Sequence, residues 1–190
     1  MLICITGLSG VGKTTILNEL KNEYKIAILD TLVHEHYCVN DRGYDIIKNN
    51  FGIEYVNENG VDRKKLGQLV FSDAEQMDKL NLLLEPLIID IIEKLKKQAI
   101  NEIVLVEAAA LLTNYDRYSR FFDKIILIQA PHDRVMQNTK NKFFYLDKFE
   151  NFVWELNSKM KFDLVVDNNE SPKNAVTKIS NFLAKILTKK

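Results

Sequence analysis

Gly7-Leu8-Ser9-Gly10-Val11-Gly12-Lys13-Thr14 follows directly on an apolar run, Leu2 to Ile5, that lacks the alternation of a half-exposed strand and reads as a buried one. Beyond the octapeptide, from Thr14 to Tyr24, apolar residues recur at helical spacing. The octapeptide fits G-x-x-x-x-G-K-[ST], and it lies between strand and helix, where that pattern binds phosphate. Glycines let the backbone amides turn inward, and the helix N-terminus adds positive potential, so the β- and γ-phosphates of a nucleotide can be cradled there. Ser9, Gly10, Val11, Gly12, Lys13, Thr14 and Thr15 are therefore the expected nucleotide-binding residues. Lys13 supplies charge to the phosphates, and Thr14 supplies a hydroxyl ligand to Mg²⁺. The competing reading is a glycine-rich turn with a chance lysine, which leaves the full pattern in its context unexplained.

Working outward, further short runs rich in Ile, Val and Leu occur at Ile26 to Leu29, Ile103 to Val106, Ile125 to Ile128 and Leu164 to Val166. They read as buried parallel strands. Helical spacing marks Tyr44 to Phe51, Asp62 to Phe71, Asp73 to Gln98, Arg134 to about Asn141, Asp147 to Met160 and Pro172 to Leu187. Strand and helix alternate, so the class is α/β. Roughly seventy mainly helical residues separate the second and third strands, far more than a crossover needs, and predict an elaborated substrate-binding region. Its last helix carries Leu80, Leu83, Leu84, Leu87, Ile88, Ile91, Ile92 and Leu95 on one face, for which packing is a sufficient role.

A chain of 190 residues and 22.0 kDa is enough for one well-packed domain and too little for two ordinary ones. With 46% hydrophobic and 27% charged residues, disorder and fibrous architectures are excluded. Lysine plus arginine equals aspartate plus glutamate at 26 each, so no global field draws the protein onto nucleic acid or an anionic membrane. Cys4 and Cys38 lie far apart without metal-type spacing, which suits a reducing cytosol. No stretch approaches a transmembrane helix, and the N-terminal MLICITG is too short for a signal-peptide core, so a cytoplasmic chain starting at Met1 is expected. No repeat, low-complexity tract or linker argues for a second domain.

The phosphate loop alone does not distinguish GTPases, motor ATPases and small-molecule kinases. Asn141-Lys142 is followed by Phe143 and Phe144 and so lacks the aspartate that reads guanine, which disfavours a GTPase. Small size and a long helical insertion suit a kinase of nucleosides, nucleotides or cofactors. Beyond the loop, the chain carries Phe51-Gly52-Ile53, Gly60-Val61-Asp62-Arg63-Lys64-Lys65-Leu66, Phe71-Ser72-Asp73, Leu80-Asn81-Leu82-Leu83-Leu84-Glu85-Pro86-Leu87-Ile88, Val106-Glu107-Ala108 before Leu111-Leu112, and Asp167-Asn168. In this order and spacing, across nearly the whole chain, they resemble dephospho-CoA kinase, which phosphorylates the ribose 3′-hydroxyl of dephospho-CoA in the last step of CoA synthesis. The chain departs from that pattern where Leu29-Asp30-Thr31-Leu32 replaces D-A-D, where Glu85 replaces a histidine, and where Thr113 replaces a common glutamate. Arg134 matches one lid arginine, whereas Asn138 takes the place of the next; Lys140 and Lys142 offer point charges without the arginine fork.

The resemblance implies roles. Asp30, just past the second strand, is the expected base that orients and deprotonates the acceptor hydroxyl for in-line attack, against a simple cap or turn role. Arg63 is expected to pair with an acceptor phosphate rather than serve as a solvated surface charge. Phe51 joins Asp30 and Arg63 on the substrate side. Glu107 reads either as an acid holding Mg²⁺ through water or binding substrate, or as half of a structural ion pair. Arg134 is expected to neutralise charge in transit, against ordinary salt bridging. Catalysis thus falls to Lys13, Asp30 and Arg134. The spacing of His34, His36 and Cys38 lacks a fourth metal ligand; one histidine, or Tyr37, is a candidate for the acceptor pocket. Phe143-Phe144-Tyr145, Phe149, Phe152 and Trp154 read as lid packing or an adenine edge rather than a nucleic-acid surface.

The expected molecule is a monomeric three-layer P-loop kinase, a single domain over residues 1–190, with a central five-stranded parallel sheet. Its helical acceptor-binding region lies at about 40–98 and its lid at about 131–150. ATP, Mg²⁺ and dephospho-CoA are its expected small-molecule ligands, with neither nucleic acid nor membrane as partner. A nucleoside or nucleoside-monophosphate kinase and a non-catalytic nucleotide-binding protein are the rival readings.

Overall fold

Five consecutive residues, Leu2–Thr6, are wholly withdrawn from solvent on both faces and form β1, the central strand of the molecule. A run buried on both sides has no polar face to alternate with, which is why parallel sheets show unbroken Ile, Val and Leu. The computed structural model describes residues 1–138, 160–169 and 171–188. All but the last residue of the expected helix at Asp147 to Met160, most of the expected lid, Lys140, Lys142 and the aromatic run from Phe143 to Trp154 lie outside them.

The elements follow in order: α1 (Lys13–Leu20), β2 (Lys25–Ile28), α2 (Leu29–Glu35), α3 (Arg42–Phe51), β3 (Val56–Asn57), β4 (Gly60–Val61), α4 (Arg63–Ser72) and α5 (Ala74–Gln98). Then come β5 (Val104–Glu107), α6 (Tyr115–Tyr118), β6 (Lys124–Gln129), α7 (His132–Asn138), β7 (Leu164–Asp167) and α8 (Pro172–Leu187). The main sheet is five-stranded, ordered β2-β5-β1-β6-β7, and every pairing in it is parallel, as the apolar runs predicted. Central β1 pairs with β5 on one side and β6 on the other, so ligands are expected at the carboxyl ends beside it.

By contact, the chain forms two units, Met1–Ile28 with Leu95–Lys190, and Leu29–Lys94. In the first, one sheet face supplies Ile3, Ile5, Leu105, Ile126, Ile128 and Val166, which bury Ile16, Leu17 and Leu20 of α1 and Ala175, Ile179 and Leu183 of α8. Ser171 caps α8 by accepting from the Lys173 amide, and Pro172 opens it with a φ already helical. On the other face Leu112 and Leu127 pack with Leu8, Met160 and Phe162.

The second unit has its own small core of Ile47, Leu66 and Val70, lined by residues such as Ile46, Tyr55, Val61 and Leu80. Asp41 and Asp62 cap α3 and α4. The antiparallel β3–β4 hairpin, absent from the sequence reading, is tied to the residues after α2 by the Val61 amide donating to the Tyr37 carbonyl at 2.9 Å. Gly60 adopts φ 119°, and a Cβ there would lie 2.3 Å from that same carbonyl, so only glycine fits. No described helix is long and apolar enough to cross a membrane.

Candidate active site

The strand β1 ends at Thr6, and the phosphate loop connects it to α1, which starts at Lys13. Gly12, at φ 95°, is the N-cap residue of α1 and brings no side chain to cap it, and a helix N-terminus is an electrostatically favourable place for an anion. Lys13 is only 5% exposed, and its ammonium donates to the carbonyls of Gly7 and Leu8, each at 2.9 Å. Its positive charge is thus stored against the loop, 3.9 Å from the Glu107 carboxylate.

Glu107 closes β5, beside the end of β1. The wholly buried Thr6 hydroxyl donates to the Ala108 carbonyl at 2.8 Å and holds that junction in place. Thr14 Oγ1 donates to Glu107 Oε2 at 3.3 Å. A hydroxyl and a carboxylate side by side are hard oxygen donors of the kind Mg²⁺ prefers, and so few protein ligands suit an ion that also binds phosphate oxygens. Both readings of Glu107 therefore meet in one place: it neighbours the lysine and faces the threonine.

Arg134, on α7, donates from its guanidinium to the backbone carbonyl of Asn168 at 2.6 Å. Asn168, in turn, is buried immediately after β7, and its Nδ2 donates to the Val11 carbonyl at 2.8 Å. Asn138, at the end of α7, donates from its amide to the Gly10 carbonyl at 2.8 Å. Lys13, Thr14, Glu107 and Arg134 are thereby gathered around one loop. The position where an arginine was expected carries instead an amide that holds the loop.

In the second unit, Asp30 stands in the first turn of α2, which begins without a turn as soon as β2 ends. A carboxylate there is favoured by the helix dipole. One helical turn later, His34 stacks at a tilt on Tyr37, with ring centroids 5.1 Å apart. Burial holds the His34 imidazole below the ordinary histidine range; the charge of Asp30 opposes this and that of Arg63 adds to it. Burial also pushes the Tyr37 phenol up to about 12, an effect Asp30 reinforces and Arg63 resists. Asp30, His34, Tyr37 and Arg63 thus form one electrostatic group. Phe51 lies edge-on to Tyr55 at 6.5 Å and under the Lys79 ammonium at 4.8 Å from the ring centroid.

His36 is committed elsewhere: its Nδ1 pairs with Asp41 at 2.8 Å, a bond that with the Arg42 amide holds the Asp41 carboxyl below its usual range. Among the described residues no three His, Cys, Asp or Glu side chains are placed to hold a metal ion. Cys4 is buried in β1, where burial pushes its thiol far up and keeps it protonated.

A family model for dephospho-CoA kinase matches residues 1–174. The chain belongs to the dephospho-CoA kinase family. It is 36% identical to the dephospho-CoA kinase of Mycoplasma genitalium, over 98% of this chain and 93% of that one. The corresponding protein of Mycoplasma pneumoniae is 31% identical over 98% and 92%. A solved dephospho-CoA kinase from Campylobacter jejuni superposes with a TM-score of 0.66 over 97% of each chain; at 21% identity this likeness speaks for the fold alone. The family resemblance read from the ordered motifs is thus borne out, as is the five-stranded parallel P-loop kinase fold.

In the sequence, Asn168 stands in the Asp167-Asn168 pair without an assigned task, and Asn138 is only a departure from the family pattern. The usable signal was position: a carboxamide one residue after a buried strand, in a sheet whose carboxyl ends carry the phosphate loop. His34 and Tyr37 were named only among three candidates, and the bond between His36 and Asp41 is what separates them.

Proposed function

We propose that this chain transfers the γ-phosphoryl group of ATP to the ribose 3′-hydroxyl of dephospho-CoA, giving ADP and CoA. The family match over residues 1–174 is the observation that carries this reading. Its catalytic residues are Lys13, Asp30 and Arg134. The loop from Ser9 to Thr15 cradles the phosphates with its backbone amides at the N-terminus of α1. When ATP enters, the Lys13 ammonium, already beside the loop, exchanges its carbonyl partners for phosphate oxygens. Thr14 and Glu107 are the residues that would hold Mg²⁺, which when bound neutralises charge on the β- and γ-phosphates. Arg134 spends one N–H on Asn168 and keeps further donors of its fork for the phosphoryl group in transit.

On the acceptor side, residues of about 40–98 bind dephospho-CoA, with Asp30 accepting the hydroxyl proton as the oxygen attacks phosphorus. Arg63 pairs with an acceptor phosphate, His34 and Tyr37 flank Asp30, and Phe51 completes the substrate side. Residues of about 131–150 act as the lid. Single-domain organisation, the cytoplasmic setting and the monomeric state belong to this proposal too.

The regiochemistry provides a test. A phosphorus NMR spectrum of the product should show a new monoester coupled to the ribose 3′ proton. A new anhydride, or an ester at another hydroxyl, would contradict the assignment.

A further inference from the structure

Asn168 is 1% exposed, a polar side chain held out of water. Its Nδ2 donates to the Val11 carbonyl at 2.8 Å, whereas its Oδ1 is buried with no hydrogen-bond partner among the described residues. Flipping the carboxamide would set two acceptors against each other at Val11, so the observed orientation is the one chemistry allows. An unpaired buried acceptor costs free energy, and an apolar side chain of similar size would avoid that cost. What the asparagine provides instead is a donor aimed at the phosphate loop.

The neighbouring geometry is matched to it. Gly12 adopts φ 95°, and a Cβ at that residue would lie 2.6 Å from Asn168 Nδ2, so the amide occupies the space that the glycine leaves. The Asn168 amide N–H donates to the Gln129 carbonyl at 2.8 Å, which anchors the residue to the end of β6. Its own carbonyl accepts from Arg134 at 2.6 Å. One anchored residue therefore touches both the loop and the arginine.

We propose that Asn168 is a positioning residue of the nucleotide site: its carboxamide sets the phosphate loop at Val11–Gly12 while its carbonyl sets the guanidinium of Arg134. The inference rests on the ATP-binding role proposed for the loop. It assigns to the carboxamide a contribution to ATP affinity that is separate from any contribution to folding.

The test uses the full chain with three variants, Asn168→Ala, Asn168→Asp and Asn168→Ser, and reads ATP affinity by titration calorimetry, thermal midpoint, and KM for dephospho-CoA. Losing the donor should weaken ATP binding about tenfold in N168A and N168D, with the acceptor KM held within about twofold. N168S, whose hydroxyl can still donate, should recover part of that loss. ATP binding unchanged in N168A and N168D would overturn the proposal. So would variants that fail to fold, or that lose both affinities in step with the midpoint, because the residue would then serve the fold. If the wild-type chain binds no ATP, the loop reading fails and this inference falls with it. Wild-type ATP binding without turnover of dephospho-CoA would count against the acceptor assignment alone and leave the effect on ATP affinity as the deciding result here.

Discussion

Lys13, 5% exposed, is kept out of water while held against two carbonyls and near one carboxylate. A group stored this way needs little reorganisation when phosphate arrives, and it acts where water screens it least. Lys13→Ala should lower kcat by about a hundred- to a thousandfold, measured as acceptor-dependent ADP release. An unchanged kcat would mean that the loop amides suffice. For Asp30→Asn, given the base role proposed for it, the expected loss is also about a hundredfold or more, with ATP affinity retained. The position of Lys13 and Thr14 at the start of α1 was legible because a fixed spacing marks the strand-loop-helix junction. Asn168 was not, since its task depends on a strand end and a loop separated by more than a hundred and fifty residues, a contact no local pattern announces.

Among the elements, α2 shows where local reading stops. Ile26 to Leu29 is one apolar run, and nothing in it marks that Ile28 ends a strand and Leu29 begins a helix. Without a glycine, proline or capping side chain at the junction, periodicity gives no boundary. The caps of α3 and α4 are more legible, each an aspartate just before a helical segment. Asp62 accepts from the Lys65 amide at 3.0 Å, so Asp62→Ala should cost about 0.5–2 kcal/mol in denaturant unfolding. Asp41 adds a pH dependence, because hydrogen bonds from His36 and the Arg42 amide hold its carboxyl below the ordinary aspartate value of 3.8. The unfolded chain then binds the proton more readily than the folded one, so this contribution is complete above that value and is lost as pH falls through the lower, folded one. The stability advantage of the wild type over Asp41→Asn should be level near neutrality and shrink on acidification below 3.8; an advantage independent of pH would refute it.

At the scale of the molecule, the sheet places the chemistry. Carboxyl ends of β1, β5 and β7 deliver the phosphate loop, Glu107 and Asn168 to one edge, and that convergence follows from the strand order β2-β5-β1-β6-β7. The existence of five strands was readable from apolar runs buried on both faces. Their order was not, because register and neighbour choice depend on crossovers that leave no mark on composition. Leu105, wholly buried in β5, packs in the core under the loop; Leu105→Ala should destabilise the chain by about 2–5 kcal/mol, read from thermal or denaturant unfolding.

The acceptor is identified by measuring ADP release from the purified chain with ATP and Mg²⁺, with dephospho-CoA compared against AMP, dTMP and deoxynucleosides and the product identified by mass. Turnover with dephospho-CoA alone, yielding CoA, is the predicted result. Turnover only with a nucleotide or nucleoside acceptor, or ATP binding without acceptor-dependent ADP, would contradict it.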